Sequence, residues 1–209
     1  MAERFSTRID RFVREQGGRS KAEKFAFNWY EANKNTNEGK MQRFSRAMEP
    51  GKIYTFRYDP KTKDRLAYYD TNPVVICLGN VRGYPNLNLG LNLNFLPYKI
   101  KIQLLDFIDK NLGETIAKYA KVNPESAIMQ KQLAITYEAV KQSLKQVNGQ
   151  FALRSYYVDR RSDTYVVSYE NWPQATLLKI EDLEGIKLNQ VYGKYYASMR
   201  TRDQSGRFK

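Results

Sequence analysis

The sequence predicts an α+β fold: an N-terminal helical arm, a small and mainly antiparallel sheet with a helical insertion, and a basic C-terminal tail. Three observations predict it. Apolar residues recur at helical spacing through the first segment, the period drops to two after Pro50, and the helical period returns at Pro97. The last third of the chain then reads as strands again.

Phe5, Ile9, Phe12 and Val13 share one face of a first helix over residues 1–16, with Arg4, Arg8, Arg11 and Arg14 largely on the remaining surface. Gly17 and Gly18 break it. Ser20 stands three residues before Glu23, a capping-box start for a second helix carrying Phe25, Phe27, Trp29, Tyr30 and Ala32. Residues 40–48 are expected to add a short helix before the stop at Pro50 and Gly51. Lys52 to Tyr58 alternates in the strand manner, Asp59, Pro60 and Lys61 start a turn, and Leu66–Tyr69 and Val74–Leu78 are further strand candidates. Residues 79–97 form a Gly/Asn/Leu-rich stretch. Pro97 suits the first turn of a helix burying Ile100, Leu104, Leu105 and Ile108, with further helices over 114–121 and from Pro124 to about Val147. Phe151–Val158 and Tyr165–Ser168 then read as a hairpin around Arg160 to Asp163, Thr176–Ile180 as a third strand, and 189–199 as a last helix. The sheet is therefore expected from residues 52–78 and 151–180. The domain reading is a basic helical arm over 1–50, an α+β core over 51–199 with its helical insertion at about 97–147, and a basic tail over 200–209. Gly17–Gly18 and the polar tail predict that both ends order against partners rather than alone.

Composition excludes several functions. Histidine is absent and Cys77 is the single cysteine, so Ser-His-Asp and Cys-His nucleophile activation and the usual zinc sites are excluded. Cys77 lies in the apolar run 74–78 and reads as a small buried hydrophobe rather than a reactive thiol. No phosphate loop of the Walker or dinucleotide type occurs, and Gly79, Gly83 and Gly90 are too scattered to cradle a phosphate. No apolar run approaches the ~20 residues of a membrane span. The charged start Met1–Ser6 has no apolar core, so no signal peptide is expected. Neither an enzyme, a metal, a cofactor, a membrane nor a small-molecule substrate is expected.

Charge points the other way, towards a partner. The net charge is +13, and residues 1–65 carry 16 Lys/Arg against 9 Asp/Glu while the middle of the chain is nearly balanced. Arg8, Arg11, Arg14, Arg19, Lys21 and Lys24 crowd the arm; Arg200, Arg202, Arg207 and Lys209 crowd the tail. Such groups bind phosphates without reading sequence. They also fit a solvated helix face offset by Asp10, Glu15 and Glu23. The 16 tyrosines fit base stacking, protein-interface anchors or ordinary core. Asp59, Asp64 and Asp70 could act together on a metal or a proton, or serve as turn residues neutralised by Lys61, Lys63 and Arg65.

Two longer motifs stand out. The first runs through Gly51, Tyr54, Phe56, Tyr58, Asp59, Pro60, Lys61, Tyr68, Tyr69, Asp70 and Pro73. The second holds Gly90, Leu91, Asn92, Leu96 and Pro97. This pattern resembles a family of virion proteins of T-even-type tailed phages, labelled DNA end protectors and head-completion or neck proteins. The likeness covers residues 50–110 well and 150–195 more loosely. Ala67 stands where the family pattern has proline, and Asn94 where it has histidine. The resemblance implies a structural protein of the virion, made in the host cytoplasm, that contacts other virion proteins and packaged double-stranded DNA. A baseplate or other tail assembly protein with purely protein partners is the alternative. The motif residues themselves look structural: turns, strand ends and a helix start.

Overall fold

The structure is a computed structural model, and it describes residues 4–33, 41–43, 48–107, 140, 144–145, 150–178, 183–185, 187, 189–193 and 196–197. Its described elements, in chain order, are α1 (Phe5–Glu15), α2 (Arg19–Asn33), β1 (Met41–Arg43), β2 (Ile53–Tyr58), β3 (Tyr69–Asp70), β4 (Val74–Val81) and β5 (Tyr84–Asn92). A helix, α3, is described over residues 98–107. Then follow β6 (Leu153–Tyr157), β7 (Arg161–Val167), α4 (Trp172–Leu177) and β8 (Leu183–Glu184). The fold is α+β.

Six strands form one antiparallel sheet in the order β1-β7-β2-β4-β5-β6, and β3 and β8 pair separately. The stop at Pro50 is set by backbone geometry. Gly51 adopts φ +84, a conformation open to glycine, and its N–H donates to Cys77 O at 2.8 Å, while Cys77 N–H returns a bond to Lys52 O at 3.0 Å. These bonds set β2 against β4, with Ile53 opposite Ile76 and Thr55 opposite Val74.

The sheet curls. β6 and β7 stand four places apart in the strand order, about 19 Å in a flat sheet at ordinary strand spacing. Only residues 158–160 join them, and four chain steps reach about 14 Å. Bulges in the β2–β7 and β4–β5 pairings supply the bend. Phe56 of β2 and Tyr156 of β6 consequently meet edge to face at 5.2 Å between ring centroids. Inside the curl Tyr54, Phe56, Val75, Cys77, Tyr156 and Met48 form a small core. The alternate residues Ile53, Val74, Ile76, Leu91, Tyr165 and Val167 join the larger core under the helices. Both faces are therefore buried, which explains the nearly continuous apolar run of β4. Cys77 is fully buried, as expected, and burial pushes its thiol up to about 11.

The helices cover the larger core. Phe5, Ile9 and Phe12 of α1 and Ala22, Ala26 and Trp29 of α2 are buried in it. Ser6 N–H donates to Asp106 Oδ1 at 2.7 Å, tying α1 to α3. The expectation that residues 1–16 order only against a partner is thus corrected: α1 docks on the core.

Other expectations are corrected too. Residues 41–43, expected as helix, form β1 and pair with β7, Met41 opposite Val167. Of 66–69 only Tyr69 enters a strand; residues 63–65 form a 3-10 turn. The Gly/Asn/Leu stretch contains β5, in which Leu89 and Leu91 alternate with Asn88 and Asn92 across the pleat. The hairpin around Arg160 does not exist, because β6 pairs with β5 and β7 with β2 and β1. Residues 176 and 177, expected as strand, end α4: Pro173 presets its first turn, and Trp172, Ala175, Thr176 and Leu177 are all buried. The helices expected over 114–121 and most of 124–147 lie outside the described residues, as does the tail 200–209.

Candidate nucleic-acid interface

The six arm cations fall on two adjacent helices but have unequal work. Arg8 is half-buried. Its Nη2 donates to Tyr169 O at 3.0 Å and its guanidinium lies 4.4 Å from the centre of the Tyr169 ring, so it clamps α1 to the turn before α4. Arg19 pairs with Glu23 at 2.8 Å and lies 4.0 Å from the Tyr98 ring centre. Arg11 stands 4.0 Å from Glu15, both exposed. Arg14, Lys21 and Lys24 are exposed. Exposed pairs of this kind stabilise little, so their charges stay available to a polyanion. Arg200, Arg202, Arg207 and Lys209 lie outside the described residues.

The two sequence motifs converge on one carboxylate. Asp70 is 3% exposed. Its Oδ1 accepts Asn72 N–H at 3.0 Å, and its Oδ2 accepts the side-chain amides of Asn92 at 3.1 Å and Asn94 at 2.9 Å. Asn92 Oδ1 in turn accepts Asn94 N–H at 2.9 Å, holding the turn after β5. Burial pushes the Asp70 carboxyl above its ordinary value, against the pull of the three donors. The Asn94 side-chain amide also donates to Asn72 O at 3.3 Å. The remaining motif residues build the frame: Tyr54, Phe56, Leu91 and Leu96 are buried, and Pro97 O accepts the first bonds of α3.

Asp59 and Asp64 do not join Asp70. Asp59 is exposed and pairs with Lys63 and, at 3.8 Å, with Arg160. The Lys63 hydrogen bond holds its carboxyl below the usual range. Among the described residues no three His, Cys, Asp or Glu side chains are grouped to hold a metal.

Beside Asp70 opens a cleft of about 110 Å³. Tyr58, Tyr68, Tyr69, Phe95, Tyr156 and Tyr157 supply aromatic wall, and Pro60 and Lys61 lie on it too. Arg154 stiffens one side. Its Nη2 donates to Tyr68 OH at 3.1 Å, its Nη1 to Leu153 O at 2.9 Å, and its guanidinium lies 4.7 Å from the Phe95 ring centre. Lys61 Nζ stands 5.7 Å from the centre of the Tyr157 ring. Aromatic faces with adjacent cations are the chemistry of stacking on unpaired bases.

The family model of the Phage T4 terminal DNA protecting protein matches residues 1–181. The chain belongs to that family. The matched span takes in α1, α2, all six strands of the sheet and the cleft. Members of the terminal DNA protecting family are DNA-protecting structural proteins of phages rather than enzymes. The comparisons matched no curated protein and no solved structure. Among the described residues no helix is long and apolar enough to cross a membrane.

Sequence reasoning placed the cleft residues of the first motif in turns and strand ends but did not bring them together. It missed Arg154, Tyr156 and Tyr157 as their neighbours. The one available signal was the tyrosine doublet at 156–157, whose partners sit about a hundred residues earlier, as in the Tyr157 N–H to Tyr58 OH bond at 3.3 Å.

Proposed function

We propose that this chain is a virion structural protein of the head-completion or neck region that covers the ends of packaged double-stranded DNA. It is made in the host cytoplasm and assembles with neighbouring virion proteins. The observation that carries the reading is that the arm cations Arg11, Arg14, Lys21 and Lys24 stand exposed on α1 and α2 in a chain of the terminal DNA protecting family. A cationic face on docked helices neutralises phosphates from a fixed frame, without reading sequence. In this reading residues 1–50 and the basic tail 200–209 face the DNA, and the core over 51–199 holds them.

The test is duplex binding by the purified chain across a salt series. Affinity is expected to be independent of sequence. With about five cations in contact, the log–log slope of affinity against salt is expected near −4 to −5. Absence of duplex binding at low salt would overturn the DNA reading and favour an assembly protein of the baseplate or tail with purely protein partners.

A further inference from the structure

We propose that the tyrosine-lined cleft beside Asp70 holds the unpaired terminal nucleotide of a DNA strand. The inference rests on the DNA-binding reading above and adds a second site to it, remote in sequence from the arm cations.

Size and lining come first. The cleft has about 110 Å³ of enclosed space, below the range of about 300–1,000 Å³ that takes a whole small molecule, so it would take one flat ring against its open edge. Six of its fourteen lining residues are aromatic, with polar groups among them, a composition that suits a flat ring. Tyr157 and Leu66, at the edge, are 36% and 43% exposed. A side chain left that open beside a cleft has a face to offer.

Each polar group then has a part. Arg154 is spent on Leu153 O and Tyr68 OH, so it holds the wall. Lys61 is exposed, on the turn opened by Asp59 and Pro60, and stands over Tyr157. A base stacked on the Tyr157 ring would displace this ammonium from the ring face and leave it beside the nucleotide's phosphate. Asp70, 3% exposed, is spent on Asn72, Asn92 and Asn94 and holds the wall from behind. Stacking tolerates any base, because every base has a π-face.

The same chemistry explains why an end would be singled out. Inside a duplex both faces of every base are covered by neighbours. Only a terminal nucleotide leaves the stack at small cost, so a cleft that needs an open base face finds it at ends.

The experiment compares a short duplex carrying single-nucleotide overhangs with the same duplex closed at both ends by non-nucleotide linkers. The open duplex is expected to bind about 5- to 150-fold tighter, the range of one stacked base. Tyr157→Ala and, separately, Lys61→Ala are expected to shrink that preference while leaving affinity for the closed duplex within about twofold. A fluorescent base analogue in the overhang gives a readout that needs no variant: its emission is expected to be quenched on binding, and unchanged when the analogue sits mid-duplex. Equal binding of open and closed duplexes would overturn the cleft assignment and leave DNA binding standing. Failure to bind either duplex would overturn the DNA reading itself. Competition by free deoxynucleoside monophosphate at micromolar concentration would hand the cleft to a soluble nucleotide. A preference that survives both substitutions would place the end elsewhere.

Discussion

A methyl group added at Gly90 would overlap Val75 Cγ1 and stand 3.4 Å from both Ile76 O and the Tyr156 ring. Val75 is β-branched and buried in the small core, so it has little freedom to turn away. Gly90→Ala is therefore expected to cost about 1–3 kcal/mol, measured as a lower urea midpoint at unchanged slope. An unaltered midpoint would show that β4 and β5 part easily. Lys101 makes a second case. Its Nζ is buried and donates to Thr176 O at 3.2 Å. Burial pulls its pKa down to about 8, and the nearby Asp70 charge opposes the pull. A base with a depressed folded pKa binds fewer protons folded than unfolded between that value and its ordinary one. Stability must then rise with pH in that window and be lost as pH falls through about 8. From pH 8 to 10 the native chain is expected to gain about 2–3 kcal/mol relative to Lys101→Met. Thermal melts of both proteins at matched pH check this; parallel curves would contradict it. At this scale the sequence marked Gly90, Asn92 and Asp70 as structural. It could not say why, because Val75, Asn94 and Tyr156 come from other strands and turns.

Among the elements, α1 departs most from what its sequence suggests. A glycine pair follows it, and it carries three arginines, yet Phe5, Ile9 and Phe12 are buried in the main core. Three such side chains stabilise by about 1.5–3 kcal/mol each. The amides of residues 9–15 are accordingly expected to exchange slowly in the isolated chain, and Ile9→Ala to cost about 2–5 kcal/mol. Complete exchange of this stretch within seconds, by mass spectrometry of its peptides, would show an undocked arm instead. Legibility followed local signal strength. The helical period of α1, the break at Pro50, and the strands β2 and β4 were readable because each carries its own local signal. α4 was misread since the apolar run Thr176–Ile180 is short and bounded by the β-branched Thr176 and Ile180, while Pro173 and packing against α2 decide for helix. β5 was hidden by its asparagines. The side chains of Asn88 and Asn92 are buried, Asn92 bonding Asp70 and Asn88 bonding Asn80, so polarity there marks a network and not a loop.

The strand order of the whole molecule was beyond sequence reasoning. β2 pairs with β7 across a hundred residues, and β6 turns away from its chain neighbour to join β5. Nothing local announces such pairings, because they are selected by how the two faces of the sheet are filled. The cleft inherits the same opacity, since it exists only once the sheet has curled. Net charge, by contrast, was legible from the start, and the structure sorts which charges can serve. Arg8 is committed to Tyr169, and Arg19 to Glu23 and Tyr98. Arg14, Lys21 and Lys24 are exposed on the helices that bear them. A polyanion that meets this face should release condensed counterions in proportion to the cations it engages. The combined variant Arg14→Ala, Lys21→Ala, Lys24→Ala is expected to flatten the salt slope of duplex binding by about 2 to 3 units, with the melting temperature within a degree or two of the parent, as surface substitutions allow. Arg8→Ala is expected to do the reverse: it should lower the melting temperature, because it frees α1 from Tyr169, while moving the slope by less than about one unit. If the triple variant keeps the parental slope, the phosphate contacts belong to the tail, and the next substitutions are Arg200, Arg202, Arg207 and Lys209. If Arg8→Ala alone flattens the slope and leaves the melt untouched, the clamp to Tyr169 opens on DNA and α1 presents a different face from the one described.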